Sequence, residues 1–145
     1  MSESPHGAAV SRPLRDAALQ PAGADLTMVE WTSPAGETLW IAPLHIHHEA
    51  DEIWYVLEGS LILHLDGVEH RLEPGDCGMA VRGVAHAYRN AGDGPLRYLL
   101  VMPRQIADLI QALHAGPGGP DGIEALFQRY GSTYLGWLPG PDGAA

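Results

Sequence analysis

Between residues 26 and 101 the chain alternates apolar and polar positions in short runs, among them LTMVEWT, EIWYVLE, SLILHL, VEHRL and LRYLLV. A period of two is the signature of a strand with one face on a core and the other toward solvent. Turn-forming residues separate the runs. Asp66-Gly67 stands between two of them as a two-residue hairpin signal, and Gly59, Pro74-Gly75 and Gly92-Asp93-Gly94-Pro95 mark further reversals. Together with ETLWIAPLHIHH, DCGMAV and AHAYRN there are eight such runs, which predicts an all-β antiparallel sandwich or barrel, the jelly roll among the options.

After Val101 the period lengthens to that of a helix. Ile106, Leu109, Ile110 and Leu113 fall on one face, and Ile123, Leu126, Phe127 and Tyr130 repeat the spacing after AGPGGP. Both stripes are expected to pack on the barrel, with a dimer interface as the alternative, and Asp121 with Glu124 predicts a capping box for the second helix. Residues 1–23 are rich in Ser, Pro, Gly and Ala and read as an arm that is flexible or docks on a neighbour. The expected division is an arm over 1–25, a barrel over 26–102, and helices with a tail over 103–145.

Composition narrows the function. A chain of 145 residues, 46% of them hydrophobic, is sized for one domain with a core. The 18 acidic residues outweigh eight arginines, there is no lysine, and the formal charge is −10. Such a surface repels nucleic acid and anionic bilayers, so neither is an expected partner. No basic, apolar leader opens the chain, and Cys77 is its single cysteine; the expectation is a reducing cytoplasm, with Cys77 a packing residue.

The chemistry concentrates in PLHIHHEADEIWYVLEG, residues 43–59. On a strand, His45 and His47 project side by side and His48 points the other way. Glu52 opens the next run after the polar turn HEAD; if that run pairs antiparallel with the histidine strand, its carboxylate lies beside both imidazoles. Buried imidazoles and a carboxylate call for a cation. Taken alone, an HxH pair is weak evidence for one.

The longer spacing is more specific. His45, x, His47, four residues, Glu52, six residues, Gly59 resembles the first signature motif of the cupin superfamily. Gly75, five residues, Val81, x, Gly83, two residues, His86, three residues, Asn90 resembles the second. Leu39 stands where the first motif begins with glycine, and Val81 where the second has proline. Both departures concern backbone shape. The resemblance covers about Leu26 to Val101 and implies a jelly-roll barrel in which His45, His47, Glu52 and His86 hold one divalent metal ion per chain, with zinc, iron, manganese, nickel and cobalt all compatible. His48 or His64 is the alternative ligand should Glu52 instead orient a histidine.

Strand parity extends the compartment to Leu39, Ile41, Trp54, Val56, Met79 and Tyr88, an apolar lining that favours a flat hydrophobic small molecule. Candidate catalytic groups are Glu52 or His48 as base and Tyr88 as donor to a ligand oxygen. Arg71 and Arg82 are candidates for selecting a carboxylate, while His64, His70 and His114 read as surface residues. The short acidic chain with a two-helix tail resembles the cupin cyclases of bacterial aromatic polyketide pathways, which implies aldol-type ring closure with the metal as Lewis acid. A dioxygenase resembling flavonol-cleaving cupins and a non-catalytic binding module are the alternatives. A homodimer is expected, since cupins often pair by exchanging edge strands.

Overall fold

The computed structural model describes residues 2–3, 9–11, 14, 18–21, 23–116, 118 and 120–141. Three short strands lie in the N-terminal segment: β1 (Ser2–Glu3) pairs with β2 (Ala9–Val10), and β3 (Ala18–Leu19) pairs with the first long strand, β4 (Leu26–Ser33). Of the expected arm, β3 therefore docks on its own domain, while β1 and β2 form a separate two-stranded sheet; most of the remainder lies outside the described residues. Then follow β5 (Leu44–His47), β6 (Glu52–Glu58), β7 (Leu61–Leu65), β8 (Val68–Leu72), β9 (Cys77–Ala80), β10 (His86–Asn90) and β11 (Leu96–Pro103). Two helices, α1 (Arg104–Ala115) and α2 (Pro120–Arg129), precede a last strand, β12 (Ser132–Gly136).

The long strands form two antiparallel five-stranded sheets, ordered β12-β5-β10-β7-β8 and β3-β4-β11-β6-β9, in a jelly-roll arrangement. Alternation dictates the core between them. Every second residue of β11 (Leu96, Tyr98, Leu100, Met102) is buried and meets Trp54 and Val56 of β6 and Leu61 and Leu63 of β7. Burying such side chains contributes about 1.5–3 kcal/mol each. Asp66 and Gly67 take positive φ, 49° and 85°, as the hairpin between β7 and β8 requires.

Three departures from the sequence pattern matter. The run ETLWIAP is not a continuous strand: only Trp40 bridges to Arg89 before β5 begins at Leu44, so Leu39 escapes the alternation and is 62% exposed. Met79 also faces outward. The register of β9 on β6 sets Ala80 opposite Glu52 and Gly78 opposite Trp54, and a Cβ at 78 would stand 2.5 Å from a Leu63 methyl. Glycine and alanine thus take the inward places on β9, and the larger Met79 and Cys77 turn to solvent, against the expectation that the cysteine packs inside. Finally, the tail supplies a strand as well as helices, since β12 adds to the edge of β5. Helix α2 begins at Pro120, ahead of the predicted cap; the Asp121 side chain lies outside the described residues.

Gly59 has φ 78°, and a Cβ there would come within 2.2 Å of the Pro95 carbonyl oxygen. Gly59→Ala is expected to cost at least about 2 kcal/mol, from left-handed strain and the clash together, and a urea unfolding midpoint measures it.

Candidate metal centre

His45 and His47 project inward from β5, and His86 from β10 lies opposite His45 in the register. Glu52 comes from the other sheet. Contrary to the expected pairing, β6 does not lie beside β5, whose neighbours are β10 and β12; residues 48–51 carry the chain between the sheets, and Glu52 reaches across the core. All four side chains are buried, and one ligating atom from each lies within 4.8 Å of all the others.

The outer nitrogens of the rings fix the orientation. Nδ1 of His45 lies 2.6 Å from the Pro43 carbonyl oxygen, and Nδ1 of His86 lies 2.9 Å from that of Val84. Nδ1 of His47 lies 2.7 Å from the Ser132 hydroxyl, which itself donates to the Tyr130 carbonyl at 3.5 Å. With each Nδ1–H donated in this way, the tautomer assigned to a neutral ring leaves a lone pair on Nε2, and all three Nε2 atoms face inward. Ser132 was not legible as a site residue: it lies 85 positions from His47 and carries no motif.

The inward atoms crowd one another. Nε2 of His45 and His47 are 3.2 Å apart, and Oε1 of Glu52 is 3.2 Å from Nε2 of both His47 and His86. Ligands about 2.0–2.2 Å from a common ion stand about 3.0–3.5 Å from each other in tetrahedral or octahedral geometry, so these separations fit a metal. Without a cation or protons among them, the lone pairs repel. His45 accepts that proton poorly: burial, then the charges of His86 and His47, push its pKa down to about 3, against opposing contributions from Glu52 and the Pro43 carbonyl. For Glu52, burial raises the pKa, but where His47 and His86 are protonated, their Nε2–H hydrogen bonds and charge outweigh it, holding the carboxyl well below its usual range.

Above the cluster lies a cavity of ≈ 460 Å³, with His45, His47 and Glu52 in its floor. His86 is not exposed to it; the ring sits beneath, edge-on to Trp54 at 5.5 Å. Trp31, Tyr88, Tyr98, Leu109, Phe127 and Trp137 are among the walls. The apolar stripe of α1 and Phe127 of α2 thus roof the cavity, and Phe127 stands 5.1 Å from the His45 ring. Of the six lining residues predicted by parity, Ile41 and Tyr88 line the cavity; Trp54 and Val56 face inward but lie deeper in the core, and Leu39 and Met79 face out. Tyr88 and Tyr98 are buried phenols whose pKa values burial drives up.

Other candidates lie elsewhere. His48 points away from the cluster, exposed, with Nε2 2.7 Å from the Thr133 hydroxyl, because it follows inward-facing His47 just past the end of β5. It is therefore no base for chemistry in the cavity. His64 is half-buried beside Trp40, and Arg82 pairs with Asp51 at the surface. Arg71 pairs with Glu73 and Asp93.

Residues 31–102 match the cupin domain family. The chain belongs to the cupin superfamily. This cupin is 38% identical over 53 residues to the tetracenomycin polyketide synthase protein TcmJ of Streptomyces glaucescens, a match spanning 37% of the chain and 36% of that protein. A cupin protein from Bacteroides fragilis superposes with a TM-score of 0.53 at 22% identity, over 66% of this cupin and 80% of that chain, which shows the fold. A sugar phosphate isomerase of the superfamily from Silicibacter pomeroyi is 30% identical, covering 55% of this cupin and 51% of its own chain, with a TM-score of 0.49. The match spans about a third of the length of TcmJ and about half of that of the Silicibacter pomeroyi protein. No helix among the described residues is long and apolar enough to cross a membrane.

Proposed function

We propose that this cupin is a metal-dependent enzyme that closes a ring in a flat, hydrophobic, polyketide-type molecule by aldol condensation. The observation carrying this reading is the placement of three imidazoles and a carboxylate in the floor of an apolar cavity. The likeness to TcmJ, a polyketide synthase protein, supports the substrate class. His45, His47, Glu52 and His86 would hold a divalent ion, which would supply Lewis acidity toward a carbonyl oxygen.

The chain's own groups supply the rest. Two carboxylates border the cavity, Glu37 and Glu52; Glu52, the one at the histidine cluster, is assigned as the base that takes a proton from the carbon between two carbonyls. That carbon then bonds to a distant carbonyl carbon, whose oxygen takes up the proton as a hydroxyl; loss of this hydroxyl together with the carbon's second proton releases water and leaves a C=C bond, so no oxidant is consumed. Tyr88 stands within the same space as a hydrogen-bond donor. The roof of α1 and α2 excludes water and folds the substrate so that its two reacting carbons meet, an orientation effect worth about 7–11 kcal/mol at best.

A second reading, a dioxygenase, draws on the same donor set, because three imidazoles and a carboxylate would also hold a redox-active ion such as iron. Zinc-reconstituted protein under argon separates the two. Given a synthetic aryl-capped tetraketone, it is expected to yield a product lighter by one water at an undiminished rate, followed by mass spectrometry. Turnover only with iron and oxygen would overturn the cyclase assignment.

A further inference from the structure

Two phenols from different sheets meet in the cavity wall. Tyr88 on β10 and Tyr98 on β11 both face the space above the histidines, 7% and 2% exposed. Their rings stand 5.8 Å apart, edge to face, and both line the cavity. Each phenol carries one donor hydrogen, so a hydrogen remains for the cavity whether or not one hydroxyl donates to the other.

We infer that Tyr88 and Tyr98 act as one paired donor that offers the remaining O–H to an oxygen acceptor, a ketone or phenolic oxygen, on the flat apolar ligand. A buried donor left unmatched costs more than a made hydrogen bond gains, so the pair selects for such an oxygen and against a hydrocarbon of the same shape. Trp31, Phe127 and Trp137 supply the aromatic walls for the body of that ligand. The assignment rests on the hydrophobic-ligand reading above and adds Tyr98, which strand parity alone did not single out.

The test uses EDTA-treated protein, so that no ketone is held by an ion. Binding of 2-acetylnaphthalene and of 2-ethylnaphthalene is followed through quenching of the cavity tryptophans. In Tyr88→Phe/Tyr98→Phe the ratio of the two dissociation constants is expected to shift about tenfold against the ketone. The affinity for 2-ethylnaphthalene, which reports folding, stays within about twofold. A ratio unchanged in the double variant overturns the paired donor and leaves the hydrophobic cavity and the cyclase reading standing. A wild-type chain that binds neither probe overturns both. Should the double variant fail to fold, the carbonyl stretch of 2-acetylnaphthalene bound to the wild-type chain decides: a donated hydrogen bond lowers it from its value in hexane, and an unshifted stretch refutes the inference.

Discussion

His86→Ala is expected to lower divalent-metal affinity by at least about a hundredfold and to remove turnover with it. Loss of a group that merely orients a ligand weakens metal affinity by about 10–100-fold, and His86 offers its Nε2 directly to the cluster. The ring is also 1% exposed, so its removal leaves a void in the core as well as a missing donor. Elemental analysis of protein purified without added metal, beside an assay of the same sample, checks this. Full activity in metal-free His86→Ala protein would refute the mechanism.

Saturating zinc is expected to raise stability by about 4 kcal/mol when present at a thousandfold over its dissociation constant, since the folded chain alone assembles the four ligands. For a domain of this size that corresponds to a shift of roughly 10–15 °C in Tm. Acid should reverse it. His45 has its pKa lowered from 6.5 to about 3 in the metal-free fold, so between those values the unfolded chain binds the extra proton and the folded chain does not. Stability therefore falls as pH drops below about 6.5, by about 2 kcal/mol at pH 5 from His45 alone. Glu52, whose carboxyl is also lowered in the fold, contributes stability that is present above its ordinary pKa and is lost at still lower pH. Urea unfolding of metal-free protein at pH 7.5 and 5 measures this change. Greater stability at pH 5 would contradict a buried neutral His45.

Much of the site was legible because it is local. His45 and His47 share a face by strand parity, and the resemblance to the two cupin motifs implied Glu52 and His86 as the remaining ligands. What parity could not supply was partnership. It set Glu52 beside the histidines on a neighbouring strand, whereas the turn at 48–51 moves it to the opposite sheet. Nor could it set the phase of β9, where the demand of Leu63 for space at Gly78 sends Met79 and Cys77 outward. The roof was visible as two apolar stripes, but an apolar helix face looks the same whether it covers a core or a cavity. Ser132 and Tyr98 carry no signal at all, because each matters through a side chain distant in sequence.

The order of elements after the barrel has a mechanical corollary. Only Tyr130 and Gly131 separate the end of α2 from Ser132, the residue that steadies His47. A guest large enough to lift Phe127 must take up the displacement within that two-residue link or draw β12 along with it. Gly131 leaves little slack, for a Cβ there would already stand 2.9 Å from the Gln105 amide nitrogen and 3.2 Å from Glu49 Oε1. Admission of cargo and the aim of one imidazole thus share a single short tether.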